Sequence, residues 1–248
     1  MSNDPDSRGT ETVYAAAKLT RTLRVAGVRE DGLHLIDAEM VTLDLFDEIA
    51  ITPGDTGVSF LDERNGGVPI EIDPLDNLVT RAAALAGVDI GAVVKKRIPT
   101  QAGLGGGSAD AAAILRWAGY SDVEGAASIG ADVSFCLVGG RARVTGIGEV
   151  VEPLPFEDVA FTLVTPEIAC PTPLVYQKWD ELGGPTGHNG NDLEPAALAL
   201  KPELATARDL LGDQTGQTPR LAGSGSSWFV EGAFPDAGTV LRTVEDST

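Results

Sequence analysis

Between Pro99 and Asp110 the chain reads Pro99-Thr100-Gln101-Ala102-Gly103-Leu104-Gly105-Gly106-Gly107-Ser108-Ala109-Asp110, with four glycines in five residues, and runs straight into the helix-forming Ala111-Ala112-Ala113-Ile114-Leu115-Arg116. Glycines let a backbone take positive φ and bring its N–H groups against an anion with no Cβ in the way. The helix that follows adds unpaired N–H donors and the positive end of its dipole. The chemistry this suits is phosphate binding, and a nucleotide is the first ligand to expect. A Walker loop would end in Gly-Lys-Ser/Thr, but Gly107-Ser108-Ala109 has no lysine, and a dinucleotide fingerprint would need a third glycine where Ser108 stands. A flexible linker is the bland alternative. Such linkers are diluted with serine and are not followed by apolar residues at helical spacing, here Ala111, Ile114, Leu115 and Ala118.

Three side chains have chemistry that a site handling phosphate could use. Ser108, at the mouth of the loop, could ligate Mg²⁺ or donate to a phosphate, a role compatible with capping the helix. Lys18 is one of only five lysines and lies in the apolar run Val13-Tyr14-Ala15-Ala16-Ala17-Lys18-Leu19, where a solvated lysine would be wasted; an edge-strand lysine that discourages aggregation is the structural alternative. Asp132 follows Gly130-Ala131 and precedes the strongly apolar Val133 to Val138, so its carboxylate is expected to project from an element end as a general base, or to serve as a turn or cap. Lys95-Lys96-Arg97, just ahead of the loop, could offset an acidic field where phosphates arrive, or be a solvated charge run.

The elements that must position these groups read as α+β. Strands are expected at Val13 to Leu19, Glu48 to Thr52, Val68 to Ile72 and Ile90 to Val94, with a helix from Asn77 to Ala86. The loop opens a helix from Ser108 to Ala118, a helical piece covers Val123 to Ile129, and Val133 to Val138 reads as a strand. After Pro153 and Pro155 come a strand at Phe161 to Val164, helices near Pro173 to Leu182 and Glu203 to Leu211, and a final strand and helix around Ser227 to Arg242. The punctuation places a boundary near residue 155. It divides the chain into a disordered tail (1–10), a nucleotide-binding half (11–155) and a second half (156–248), with the catalytic cleft expected between the halves.

With 248 residues, 43% of them hydrophobic, the chain can bury one large core or two modest ones. No window approaches the run of about 18 apolar residues a membrane span needs, and the polar start is no signal peptide. A cytoplasmic location without membrane contact is expected. Cys136 and Cys170 lack metal-ligand spacing and read as buried free thiols in a reducing compartment. The formal charge of −19 leaves no basic stripe for nucleic acid.

The glycine loop resembles the ATP-phosphate loop of the GHMP small-molecule kinases, most closely the branch that phosphorylates 4-diphosphocytidyl-2-C-methyl-D-erythritol in non-mevalonate isoprenoid biosynthesis. The resemblance extends in order through Ala17-Lys18-Leu19, Arg29-Glu-Asp-Gly-Leu-His34, Leu43-Asp-Leu-Phe-Asp-Glu-Ile49, Asp76-Asn77-Leu78, Gly130-Ala-Asp-Val133, Pro171-Thr-Pro173 with Tyr176, Asn191-Asp-Leu-Glu-Pro195 and Gly223-Ser-Gly-Ser-Ser227. It implies the two-domain GHMP fold, with ATP and Mg²⁺ as cofactors and Lys18 and Asp132 as the catalytic pair. Residues Pro99 to Ala109 would lie on the nucleotide, Ser108 on the metal, and Gly223, Ser224 and Gly225 beside the catalytic centre. It also implies a cytosine ring held by His34 on its edge and Tyr176 on one face. The chain departs from the family where Leu33 replaces the tyrosine of the other face and Thr20 replaces an asparagine, and the segment from Ser108 to Asp132 is short. A small-molecule substrate linked to cytidine diphosphate is therefore the expected partner of a monomer or weak homodimer. A GHMP kinase for another small alcohol, and a non-catalytic nucleotide-binding protein of this fold, are the alternatives.

Overall fold

The computed structural model describes residues 9–73 and 77–245. Most of the tail expected at residues 1–10, and Asp76 of the Asp76-Asn77-Leu78 motif, lie outside the described residues. Two long strands, β1 (Glu11–Val28) and β2 (His34–Pro53), pair antiparallel along almost their whole length. The register of β1 shifts between Ala16 and Lys18, between Thr20 and Thr22, and between Val25 and Gly27, and each such bulge bends and twists the ribbon. The other edge of β2 is shared. Its second half pairs with β5 (Ile90–Lys96) and its first half with β6 (Arg141–Gly146). β3 (Gly57–Asp62) runs parallel to β5, β4 (Val68–Ile70) pairs with β3, and β7 (Val150–Pro153) pairs with β6, which completes a seven-stranded sheet.

The helices α1 (Leu78–Ala86), α2 (Gly106–Trp117), α3 (Val123–Ala127) and α4 (Val133–Val138) accompany this sheet, and α2 packs against β1, α1 and α4. The run Ala109 to Leu115 in α2 is buried on every side, and its alanines let three neighbours approach closely. Asn77 caps α1 by accepting from the Thr80 N–H at 3.2 Å.

A second, four-stranded sheet has the order β11–β8–β10–β9, made of β8 (Ala160–Val164), β9 (Arg220–Leu221), β10 (Trp228–Glu231) and β11 (Thr239–Arg242). It is accompanied by α5 (Thr172–Glu181), α6 (Glu194–Leu200) and α7 (Leu204–Thr215). Phe161, Leu163, Phe229 and Leu241 of this sheet join the core of the first, while a second core forms around Leu23, Val175, Leu193, Leu204, Leu211 and Trp228. Arg21 ties the halves together through Glu39 at 2.7 Å, and through Glu157 and Glu231 at 2.9 Å each.

Two sequence expectations are corrected. Val133 to Val138 forms a helix, with Val133, Ser134, Phe135 and Cys136 all buried, because a short apolar run satisfies a buried helix as well as a strand. Between Ser227 and Arg242 there are two strands and no helix, and Thr239 to Arg242 closes the sheet edge against β8. The helix Glu194–Leu200 is additional to the expected elements.

Candidate active site

A cavity of about 620 Å³ lies between the two halves and is lined by the glycine loop, by Lys18 and Asp132, and from the second half by Tyr176, Gly223 and Ser224. Lys18 is 4% exposed although, among the described residues, its stretch of β1 has a strand neighbour on one side alone, because the loop covers the other edge and its Leu104 carbonyl accepts from the Lys18 backbone N–H at 3.0 Å. Strand alternation sets Lys18 and Thr20 on one face of β1, and the Lys18 ammonium donates to Thr20 Oγ1 at 3.0 Å. Its Nζ stands 3.2 Å from Asp132 Oδ2, an approach across 114 positions of chain that only the tertiary fold produces. Asp132 precedes α4 and makes no capping bond with its side chain, so the carboxylate, about a third exposed, faces the cavity.

The loop crosses the cavity floor with almost no spare volume. A Cβ on Gly103 would stand 2.0 Å from the Ala222 carbonyl oxygen, and one on Gly105, whose φ is +68°, would stand 2.7 Å from Lys18 Cγ. Gly105 is the residue before α2, so Ser108 lies within the first turn instead of capping it, and Ser108 Oγ has no hydrogen bond among the described residues. Pro99, Thr100, Gln101, Ala102, Gly103, Gly105, Gly106, Gly107 and Ser108 all line the cavity, whereas Leu104 and Ala109 are buried behind it. Gly223 and Ser224 close the cavity opposite the loop; a Cβ on Gly223 would reach 3.5 Å from Lys18 Nζ. Gly225 does not line the cavity and packs against Leu221 and Cys170.

At the far end stand Leu33, 46% exposed, and His34, whose ring lies 4.5 Å from the Tyr176 ring at 33° and 5.6 Å from Trp179 edge-on. Burial, with Asp132 nearby, holds the Tyr176 phenol well above its ordinary value, so it stays neutral.

The sequence profile of the GHMP kinases N terminal domain matches residues 77–140. A crystal structure of 4-(cytidine 5'-diphospho)-2C-methyl-D-erythritol kinase superposes with a TM-score of 0.74 at 28% identity, covering 94% of this chain and 100% of that one. The homoserine kinase of Cytophaga hutchinsonii shares the fold alone, at TM-score 0.58 and 16% identity over 100% of this chain and 98% of that one. The 4-diphosphocytidyl-2-C-methyl-D-erythritol kinase of Paracoccus denitrificans is 37% identical over 242 residues, 90% of this chain and 86% of the relative. The chain belongs to the 4-diphosphocytidyl-2-C-methyl-D-erythritol kinase family. The Ruegeria pomeroyi kinase of that name is 35% identical over 93% of this chain and 91% of its own length.

In this 4-diphosphocytidyl-2-C-methyl-D-erythritol kinase family member, the basic run before the loop is not an open cationic patch. Lys95 pairs with Glu48 at 2.7 Å, and Arg97 lies 3.5 Å from the same carboxylate. Lys96 is buried between Asp47 and Asp110, the latter 2.5 Å away. Asp47 also accepts the backbone N–H groups of Arg97 and Ile98. The triad thus holds the loop at both ends, on β5 before it and on α2 after it. Asp47 and Asp110 were not candidates from sequence, although both lie in the family motifs, because a carboxylate beside an apolar run signals burial only when its partner is known.

Two carboxylates on one ammonium leave a surplus negative charge, and Asp110 Oδ1 has no partner among the described residues. Burial pushes the Asp110 carboxyl up to about 7; Lys96 pulls it down and Asp47 pushes it further up. For Lys96 burial opposes the charge, but the two carboxylates outweigh it and its pKa is raised. Since Asp110 binds a proton in the folded state at pH values where the unfolded chain has lost it, stability should fall as pH rises from about 4 towards 7. Asp110→Asn removes this slope and leaves Lys96 paired with Asp47. Its Tm relative to wild type should therefore climb between pH 5 and pH 8, and a constant difference across that range would mean Asp110 is ionised throughout. Asp47→Ala, which leaves the Arg97 and Ile98 backbone donors without their acceptor and Lys96 with Asp110 alone, should cost about 2 to 5 kcal/mol in denaturant unfolding.

Proposed function

We propose that the cavity phosphorylates the 2-hydroxyl of 4-diphosphocytidyl-2-C-methyl-D-erythritol with ATP, in non-mevalonate isoprenoid precursor synthesis. The observation that carries this reading is the Lys18–Asp132 contact of 3.2 Å at the open side of a glycine loop, in a chain 37% identical to a kinase of that name. Residues 11–155 form the nucleotide-binding half in this reading, and 156–248 the half that completes the cleft.

Bound ATP supplies the phosphoryl group. Gly105, Gly106 and Gly107 offer it backbone N–H donors and the N-terminus of α2. Among the described residues no group of three or more His, Cys, Asp or Glu could hold a metal ion, so Mg²⁺ fits this site as the nucleotide's own ion, with the unpartnered Ser108 hydroxyl as the protein's ligand. Asp132 accepts the substrate hydroxyl proton late, as the oxygen becomes a phosphoester, because an alcohol becomes acidic enough to release its proton only as that bond forms. Lys18 orients that hydroxyl and offsets negative charge as the phosphoryl group transfers. Thr20 positions the ammonium in turn, at 3.0 Å.

No described helix is long and apolar enough to cross a membrane, and the two buried cysteines are unpaired. A cytoplasmic enzyme that acts on a small molecule and not on nucleic acid, as a monomer or weak homodimer, fits the free thiols and the charge of −19. The test is ADP release against methylerythritol, its phosphate and its cytidine diphosphate derivative. Turnover only with the last is expected, and equal turnover of the phosphate would reject the reading. Tyr176→Ala should raise KM for the cytidine-bearing substrate by the equivalent of about 1 to 3 kcal/mol, the worth of one stacked base, with KM for ATP nearly unchanged.

A further inference from the structure

His34 opens β2, and its imidazole is held by one face of α5. Tyr176, Trp179 and Asp180 stand at positions i, i+3 and i+4 of that helix. Tyr176 stacks on the ring at 4.5 Å, Trp179 meets it edge-on at 5.6 Å, and Asp180 Oδ1 lies 2.9 Å from Nε2. The His34 side chain is only 12% exposed, so this carboxylate, itself half exposed, decides how the ring presents itself to the cavity that it lines. Nδ1 has no protein partner among the described residues.

A carboxylate can only accept, so the hydrogen of the neutral ring resides on Nε2 and Nδ1 is left as an acceptor. An acceptor on the edge of a base pocket selects bases by their exocyclic group. Cytosine offers an amine that donates; uracil offers at the same position a carbonyl that can only accept, so two lone pairs would face each other.

We propose that Asp180 is a specificity-determining positioning residue, which fixes the His34 tautomer so that the site takes a cytosine and refuses a uracil. This rests on the cytidine reading above. It also gives this chain discrimination at the base edge, where Leu33 contributes no aromatic face.

Two substitutions separate tautomer control from simple orientation. Asp180→Ala removes the acceptor. Asp180→Asn keeps the size and a hydrogen bond but accepts either tautomer, since its amide can both donate and accept. Both should lower the ratio of kcat/KM for cytidine diphosphate over uridine diphosphate methylerythritol about tenfold, through KM for the cytidine substrate, the scale of one hydrogen bond turned to opposition. Nitrogen-15 spectra of the His34 ring should show the Nε2–H form alone in wild type and a mixture in Asp180→Asn. If Asp180→Asn keeps the wild-type ratio, the proposal is overturned whether or not Asp180→Ala lowers it, and a wild-type ring protonated on Nδ1 overturns it too. A wild-type protein inactive with every cytidine substrate would instead reject the functional reading beneath it, and the nitrogen spectra would still judge the tautomer.

Discussion

Asp132→Asn is expected to lower turnover by roughly 10² to 10⁴ while ATP binding is largely kept. The exchange preserves shape, and Asp132 makes no capping bond that its loss would break, so the fold should survive. The amide can no longer take the hydroxyl proton. It also leaves the Lys18 ammonium, 4% exposed, with Thr20 as its remaining side-chain partner at 3.0 Å among the described residues. Lys18→Met should lower turnover strongly as well, because it removes the charge that orients the hydroxyl and stabilises the transferring group. Acting as a unit across 3.2 Å, the two should lose less in the double variant than the product of the single losses. Single-turnover rates with saturating ATP are the measurement. Near-normal turnover in Asp132→Asn would mean that another group takes the proton, or that none is needed.

Gly105→Ala and Gly107→Ala, two positions apart, should behave in opposite ways. Gly105 holds φ at +68°, and its new Cβ would stand 2.7 Å from Lys18 Cγ and 3.0 Å from Cε. The backbone strain alone costs about 1 to 3 kcal/mol, and the contact pushes the lysine stem off its line to Asp132, so both stability and turnover should drop, turnover by roughly 10² or more. Gly107 has no such constraint: its Cβ would meet only Leu78 Cδ1, at 3.7 Å, an ordinary contact, and the residue lies in the first turn of α2. Alanine there should stabilise the free protein by up to about 1 kcal/mol. It should nevertheless raise KM for ATP about tenfold or more, the scale of one lost hydrogen bond to a charged group, because the methyl group projects where phosphate must approach the backbone. Thermal melts and ATP titrations of the two variants check this. A Gly107→Ala protein with wild-type affinity for ATP would remove the backbone of the loop from nucleotide binding.

The glycine loop, the helix after it, the isolated lysine in an apolar strand and parts of β1, β2, β4, β5, β8 and β10 were legible in the sequence. Each is encoded locally: glycine spacing sets which φ values the backbone can reach, and alternation or helical spacing of apolar residues sets which face is buried. Val133 to Val138 was not legible as a helix, since a six-residue run with Ser134 as its one polar member is too short to show a period, and its state was decided by the neighbours that bury Phe135 and Cys136. The strand Thr239–Arg242 was likewise decided by the open edge of β8 that it completes.

By itself, then, the sequence determined the parts: a glycine loop opening a helix, a cation in an apolar strand, a carboxylate at an element end, and the histidine and tyrosine that the family resemblance proposes for the base. Tertiary structure alone decided how the parts are charged and joined. Lys96 read as a free cation and is instead neutralised by carboxylates 49 residues before it and 14 after it. His34 read as a lone base contact and is held by an aspartate 146 residues away. The physical reason is range. Backbone conformation follows from neighbours in the chain, whereas ion pairing, hydrogen-bond direction and the tautomer of a ring depend on groups within a few ångströms in space, which for this chain arrive from opposite halves of the molecule.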